Sequence, residues 1–163
     1  MTLDELNACD RERFVSVLGA IFEDSSWVAA RAWERRPFPD VEQLHAAMTS
    51  VVAAAPADEQ LALLRKHPDL GARARMSTES TGEQASAGLD RLTPAEFEQL
   101  QRLNGAYREK FGYPFLFAVR GSTREQIVAA LEARLPRTPE EELGEALRQV
   151  YRIAQLRLTA LVR

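Results

Sequence analysis

Apolar residues return at helical spacing along almost the whole of this chain, and that spacing constrains its fold more than any other feature. Phe14, Val15, Leu18, Ile21 and Phe22 fall at i, i+1, i+4, i+7 and i+8, one stripe of a helix. Phe97, Leu100, Leu103, Tyr107 and Phe111 repeat the pattern. Leu143, Leu147, Val150, Tyr151, Ala154, Leu158 and Leu161 make a last, long stripe. Start signals accompany the stripes. Thr93-Pro94-Ala-Glu96 and Thr138-Pro139-Glu-Glu141 each place a capping Thr, a Pro at the first helical position and a carboxylate in the first turn. Ser122-x-x-Glu125 reads as a further capping box, opening a helix with Ile127, Val128, Leu131 and Leu135. Further helices are predicted at 26–35, 40–54 and 57–66. The fold class is therefore all-α: a single-domain bundle of seven to eight helices spanning 1–163, with irregular loops at 67–80 and 112–121.

One segment reads otherwise. Phe115-Leu116-Phe117-Ala118-Val119 is a short apolar run between Gly112-Tyr-Pro114 and Arg120-Gly121, and no second run is available to pair with it. A lone extended segment leaves backbone N–H and C=O groups in need of partners, and a polar ligand is one candidate for them.

Composition narrows the classes of function. At 163 residues, 45% hydrophobic and 28% charged, the chain is ordinary for a globular domain. A net charge of −3, with acidic residues breaking up the basic clusters, argues against a nucleic-acid partner. The single cysteine, Cys9, has no intrachain partner, which fits a reducing, cytoplasmic setting. With only His45 and His67 besides, no metal site is expected. No apolar run approaches the roughly 20 residues of a membrane span. The acidic Met1-Thr-Leu-Asp-Glu start does not read as a signal peptide, nor Leu161-Val162-Arg163 as a peroxisomal address.

Few residues carry chemistry. In Lys66-His67-Pro68-Asp69-Leu70-Gly71, proline disfavours the α conformation before it, so a helix should end near His67. An imidazole at a helix C-terminus is a ready acid or base near neutral pH, or simply a cap on loose carbonyls. Ser80-Thr81-Gly82-Glu83-Gln84 is followed by the small residues Ala85-Ser-Ala-Gly88. Ser80-x-x-Glu83 is itself a capping box, which would account for both side chains. The same helix N-terminus would suit an anionic or carbonyl-rich ligand, with Glu83 an acceptor and Gln84 a bidentate amide. Arg120 offers either a carboxylate clamp or a surface ion pair. His45, Cys9, Trp27 and Trp33 read as structural.

In order, His67-Pro-Asp-Leu70, then Ser80-x-x-Glu83-Gln84-x-x-Ala87-Gly-Leu89, then Leu103-Asn104-x-x-Tyr107-x-x-x-Phe111-Gly-Tyr-Pro-Phe115-x-x-Ala118-Val-Arg-Gly121 resembles the family of 2-oxo-4-hydroxy-4-carboxy-5-ureidoimidazoline (OHCU) decarboxylases. Phe14-Val15, Ser26-Trp-Val-Ala29, Ala32-Trp33 and Arg36-Pro-Phe38 extend the likeness, so that it runs from about residue 6 to 160. The resemblance implies a helical, commonly dimeric enzyme with neither metal nor organic cofactor, releasing CO₂ from OHCU to give (S)-allantoin in urate breakdown. It makes His67 the catalytic histidine and Glu83 its companion carboxylate. Pro68, Ser80, Thr81, Gly82, Glu83, Gln84, Phe115, Leu116, Phe117, Ala118 and Val119 match substrate-binding positions, with Arg120 adjacent. Two other readings remain at this stage: a helical binding module whose motifs are only caps and turns, and a hydrolase in which His67 and Glu83 activate water.

Overall fold

The computed structural model describes residues 1–72 and 76–163. Among them are nine α-helices and no strand: α1 Leu3–Ala8, α2 Arg11–Leu18, α3 Trp27–Ala32, α4 Val41–Ala53, α5 Ala57–Arg65, α6 Thr78–Ser86, α7 Pro94–Phe111, α8 Arg124–Arg134 and α9 Pro139–Leu161. A 3₁₀ turn, Trp33–Arg35, continues α3. The all-α expectation holds, and the eight elements read from the sequence are present. The ninth is α1, a six-residue helix with a Thr2–Glu5 capping box and too short to show a stripe. Of the irregular stretch expected at 67–80, residues 73–75 lie outside the described residues.

Several boundaries move. The stripe from Phe14 to Phe22 is not one helix: α2 stops at Leu18, and Ile21 and Phe22 are buried in the turn beyond it. The cap of α8 is Thr123, whose side chain pairs reciprocally with Gln126, one residue on from the Ser122–Glu125 box. Thr93 and Thr138 cap as expected, accepting from the amides of Glu96 and Glu141 at 3.2 Å each. On α9 the buried side chains are Glu142, Ala146, Val150, Ala154 and Leu158, with Ile153 and Arg157. The predicted stripe began one residue later, because an apolar pattern gives no place to a buried acid or arginine. Leu143 and Leu147 are partly exposed.

The residues gather into two compact units, Met1–Lys66 with Tyr151–Arg163, and His67–Val150. The first buries Leu6, Phe14, Leu18, Val28, Leu44, Met48, Leu63 and Leu64, each contributing about 1.5–3 kcal/mol over exposure. Its polar ties are few but well placed. The Asn7 amide brackets the backbone of Phe38 (2.9 and 2.8 Å), Arg36 Nη1 donates to the carbonyls of Asn7 and Cys9 (2.8 and 2.6 Å), and Arg157 pairs with the buried Glu23 at 2.9 Å. The second unit contains every residue singled out above as catalytic or substrate-binding, and α7 is its spine. Leu100, Asn104 and Tyr107 form the buried face of α7, at i, i+4 and i+7.

Candidate active site

The turn after α5 is where His67 sits. Helix α5 ends at Arg65, and the Lys66 amide donates to the carbonyls of Ala62 and Leu63, so the chain leaves the helix just ahead of Pro68 as the proline requires. His67 is 7% exposed. Asp69, Leu70 and Gly71 are each held from one of two helices. Asn104 of α7 donates from Nδ2 to the Leu70 carbonyl at 2.9 Å. Arg108, one turn on, pairs with Asp69 at 3.0 Å. From α6, Gln84 Oε1 accepts the Gly71 amide at 2.8 Å, in a buried position. Gly71 has φ +73°, and a Cβ there would come within 2.6 Å of Leu100 Cδ2. The turn presses against α7 where only glycine fits.

Helix α6 starts earlier than its sequence suggested. Ser77 is the cap, its Oγ accepting from the Ser80 amide at 3.1 Å. Ser80 is therefore inside the helix, and Ser80-x-x-Glu83 is not a capping box. Having no cap role, Ser80, Glu83 and Gln84 lie at i, i+3 and i+4 on one face. Ser80 and Gln84 are buried and Glu83 is partly buried. Thr81 and Gly82 lie on the exposed side, the Thr81 hydroxyl bonding back to the Ser77 carbonyl at 2.8 Å. Gln84 presents its oxygen to Gly71, so the bidentate amide foreseen from the sequence has one end occupied.

The apolar run is held by helices instead of a second strand. Phe115 and Leu116 are buried, and Tyr107 of α7 meets Phe115 edge-on at 5.3 Å. The Leu116 carbonyl accepts from Arg134 Nη1 at 2.6 Å, and the Ala118 amide donates to Gln149 Oε1 at 3.0 Å. The backbone groups expected to be open are therefore partly taken by protein side chains. Arg134 is itself locked to the fully buried Glu142, which also accepts the Tyr107 hydroxyl at 2.5 Å. Burial first, then for Tyr107 the hydrogen bond to Glu142, and for both the Glu142 charge, push the Tyr107 and Tyr113 hydroxyls above their ordinary 10.0. Arg120, just past the run, is exposed.

The structure thus ties the His67 turn to α6 through Gly71 and Gln84, and ties both the turn and the 115–119 run to α7. Thr81, Gly82 and Arg120 are left at the surface. Arg108, Arg134, Glu142 and Gln149 received no role from the sequence. Tyr107 was read only as a stripe residue of its helix, and Asn104 and Tyr107 otherwise entered only through the motif that carries the resemblance. Asn104 had left a trace, a polar residue inside the apolar stripe of α7. Glu142 stands with Glu140 and Glu141 in the acidic first turn of α9. Among the described residues no group of three or more His, Cys, Asp or Glu side chains is placed to hold a metal.

A family model described as OHCU decarboxylase matches residues 7–159. The chain belongs to the OHCU decarboxylase family. A relative from Halalkalicoccus jeotgali, named 2-oxo-4-hydroxy-4-carboxy-5-ureidoimidazoline decarboxylase, is 47% identical over 161 residues, 99% of this chain and 92% of its own length. The uric acid degradation bifunctional protein PucL of Bacillus subtilis is 44% identical over 99% of this chain but only 33% of its own length. The crystal structure of an (S)-allantoin synthase matches with a TM-score of 0.82 at 36% identity, over 99% of this chain and 54% of that one. For this member of the OHCU decarboxylases, all three ordered motifs fall within His67–Val150.

Proposed function

We propose that this chain decarboxylates OHCU to (S)-allantoin in urate breakdown, with His67 and Glu83 as its catalytic pair. The observation that carries the reading is the 2.8 Å bond from Gly71 to Gln84, which ties the turn of His67 to the helix of Glu83 in a chain 47% identical to a named OHCU decarboxylase. The substrate makes the chemistry feasible. The carbon that bears its carboxylate also bears a hydroxyl, and the neighbouring ring carbon is part of a C=N bond. When the bond to CO₂ breaks, its electron pair moves into that C=N, so the substrate contains its own electron sink. The ring nitrogen that receives the pair takes up a proton, the hydroxyl proton is lost as the carbonyl forms, and the adjacent carbon gains a proton on one face, which sets the S configuration; one proton is taken up overall.

The protein's share is orientation and proton handling. His67, 7% exposed, exchanges a proton with the hydroxyl-bearing region, and Glu83 on the inward face of α6 holds it in place. Pro68, Ser80 and Gln84 shape the floor, and the 115–119 backbone presents hydrogen-bonding groups to the ureido-ring edge. Thr81, Gly82 and Arg120 lie at the rim, where Arg120 meets the substrate carboxylate as it enters. Both compact units are parts of one catalytic domain in this reading, supported by a family match that spans them. A cytoplasmic homodimer is the accompanying reading. It is supported by the family resemblance and, for the compartment, by the lone Cys9.

Freshly generated OHCU, followed for CO₂ release and for the chirality of allantoin, tests the assignment. His67→Ala and Glu83→Ala should each lose about 10²–10⁴-fold in rate. Variants that match the wild type in both rate and stereochemistry would end it.

A further inference from the structure

Apart from the Val119 carbonyl, which accepts the Ser122 amide at 2.9 Å, the 115–119 run is bound along one edge. The rings of Phe115 and Phe117 stack 6.0 Å apart with 11° between their planes, the i, i+2 relation of extended backbone. In such backbone the peptide groups of alternate residues face the same side. Leu116 and Ala118 share one side, and both are engaged there: the Leu116 carbonyl by Arg134 and the Ala118 amide by Gln149, at 2.6 and 3.0 Å. Phe117 and Val119 share the other side. Their amides, and the Phe117 carbonyl, have no hydrogen-bond partner among the described residues. Both holding side chains are themselves fixed. Arg134 bonds Glu142 and lies over the Phe115 ring at 4.4 Å. Gln149 donates from Nε2 to Glu145 at 2.9 Å. A carboxylate only accepts, so this bond turns the amide oxygen of Gln149 toward Ala118.

We propose that Gln149 and Arg134 are positioning residues that hold the Leu116–Ala118 edge, so that the Phe117 and Val119 peptide groups are presented to the ureido-ring edge of the substrate. The proposal rests on the function proposed above. The substrate's ureido and ring amide groups offer alternating donors and acceptors, which suits such an edge. Without Gln149 the Ala118 amide would compete for the same partners or rotate the run, and binding would weaken before the chemistry did.

Removing Arg134 strips the buried Glu142 of its cation and destabilises the fold itself, so the experiment uses Gln149. In Gln149→Leu the KM for OHCU should rise roughly five- to tenfold, the worth of one hydrogen bond, while kcat changes by less than about twofold. The urea midpoint should stay close to that of the wild type. Gln149→Glu alone sets two carboxylates side by side and should not recover KM. Adding Glu145→Gln exchanges donor and acceptor, returns an oxygen to the Ala118 amide, and should bring KM back. An unchanged KM in Gln149→Leu, or a rise that the double exchange fails to reverse, overturns the positioning role while leaving the decarboxylase reading intact. A wild type that releases no CO₂ from OHCU overturns both.

Discussion

At Gly71 two constraints meet: a φ of +73° and a neighbouring methyl, Leu100 Cδ2, that a Cβ would approach to 2.6 Å. An alanine must accept left-handed backbone, which costs about 1–2 kcal/mol, and must also displace Leu100 or Leu92. Gly71→Ala should therefore lose roughly 2–4 kcal/mol in urea unfolding and raise KM, because the Gly71 amide is what Gln84 holds. A loss below about 1 kcal/mol would show that the turn has slack the packing does not suggest. In sequence Gly71 is only a glycine after His-Pro-Asp-Leu. Its necessity comes from Leu92 and Leu100, which lie far along the chain, so no local pattern could reveal it. His67, by contrast, was legible as a candidate because proline acts on the residue directly before it.

At the scale of elements, α6 and α7 divide the work of holding the His67 turn. Helix α7 has a full capping box, with the Thr93 amide donating to Glu96 at 2.9 Å. Helix α6, nine residues long, relies on the Ser77 hydroxyl. Ser77→Ala should cost about 1 kcal/mol, and hydrogen exchange should quicken in α6 ahead of α7. Equal protection of α6 in variant and wild type would mean the cap is unimportant. From the sequence Ser80 reads as the cap, because Glu83 completes a capping box with it, whereas the structure caps α6 with Ser77, three residues earlier. The choice belongs to the buried contacts of Ser80 and Gln84, which place those side chains on an inner face that a start at residue 80 would have turned elsewhere.

At the scale of the molecule, buried tyrosines and a hydrogen-bonded carboxylate contribute to the response to pH. Tyr107 and Tyr113 titrate above their ordinary 10.0 in the folded chain, so they remain protonated where an unfolded chain begins to ionise. Their contribution is complete below pH 10 and is lost as pH rises beyond it. Glu145 behaves oppositely. Burial raises its carboxyl, but hydrogen bonds from Gln149 and Arg148 and the charge of Arg148 outweigh that and hold it below 4.5; its contribution is present above that value and lost as pH falls. Urea midpoints should therefore fall on the alkaline side, and Tyr107→Phe should be less stable at pH 8 yet show a shallower alkaline decline. An identical alkaline slope in the variant would sink the assignment.

By itself, the sequence determined the helical class, most helix boundaries to within a residue or two, and the identity of the residues worth testing. Periodicity and capping act over three or four residues and are written locally. Only the tertiary structure decided which faces are inner and what each polar group meets. That is why α9 buries Glu142 and Arg157 along with Ala146, Ala154 and Leu158, and why the 115–119 run is held by Arg134 and Gln149 instead of by a strand. A buried charge is tolerable only when its partner arrives from another element, and the pairs Glu142–Arg134 and Glu23–Arg157 lie 8 and 134 residues apart in the chain. No pattern within one helix can announce such a partner.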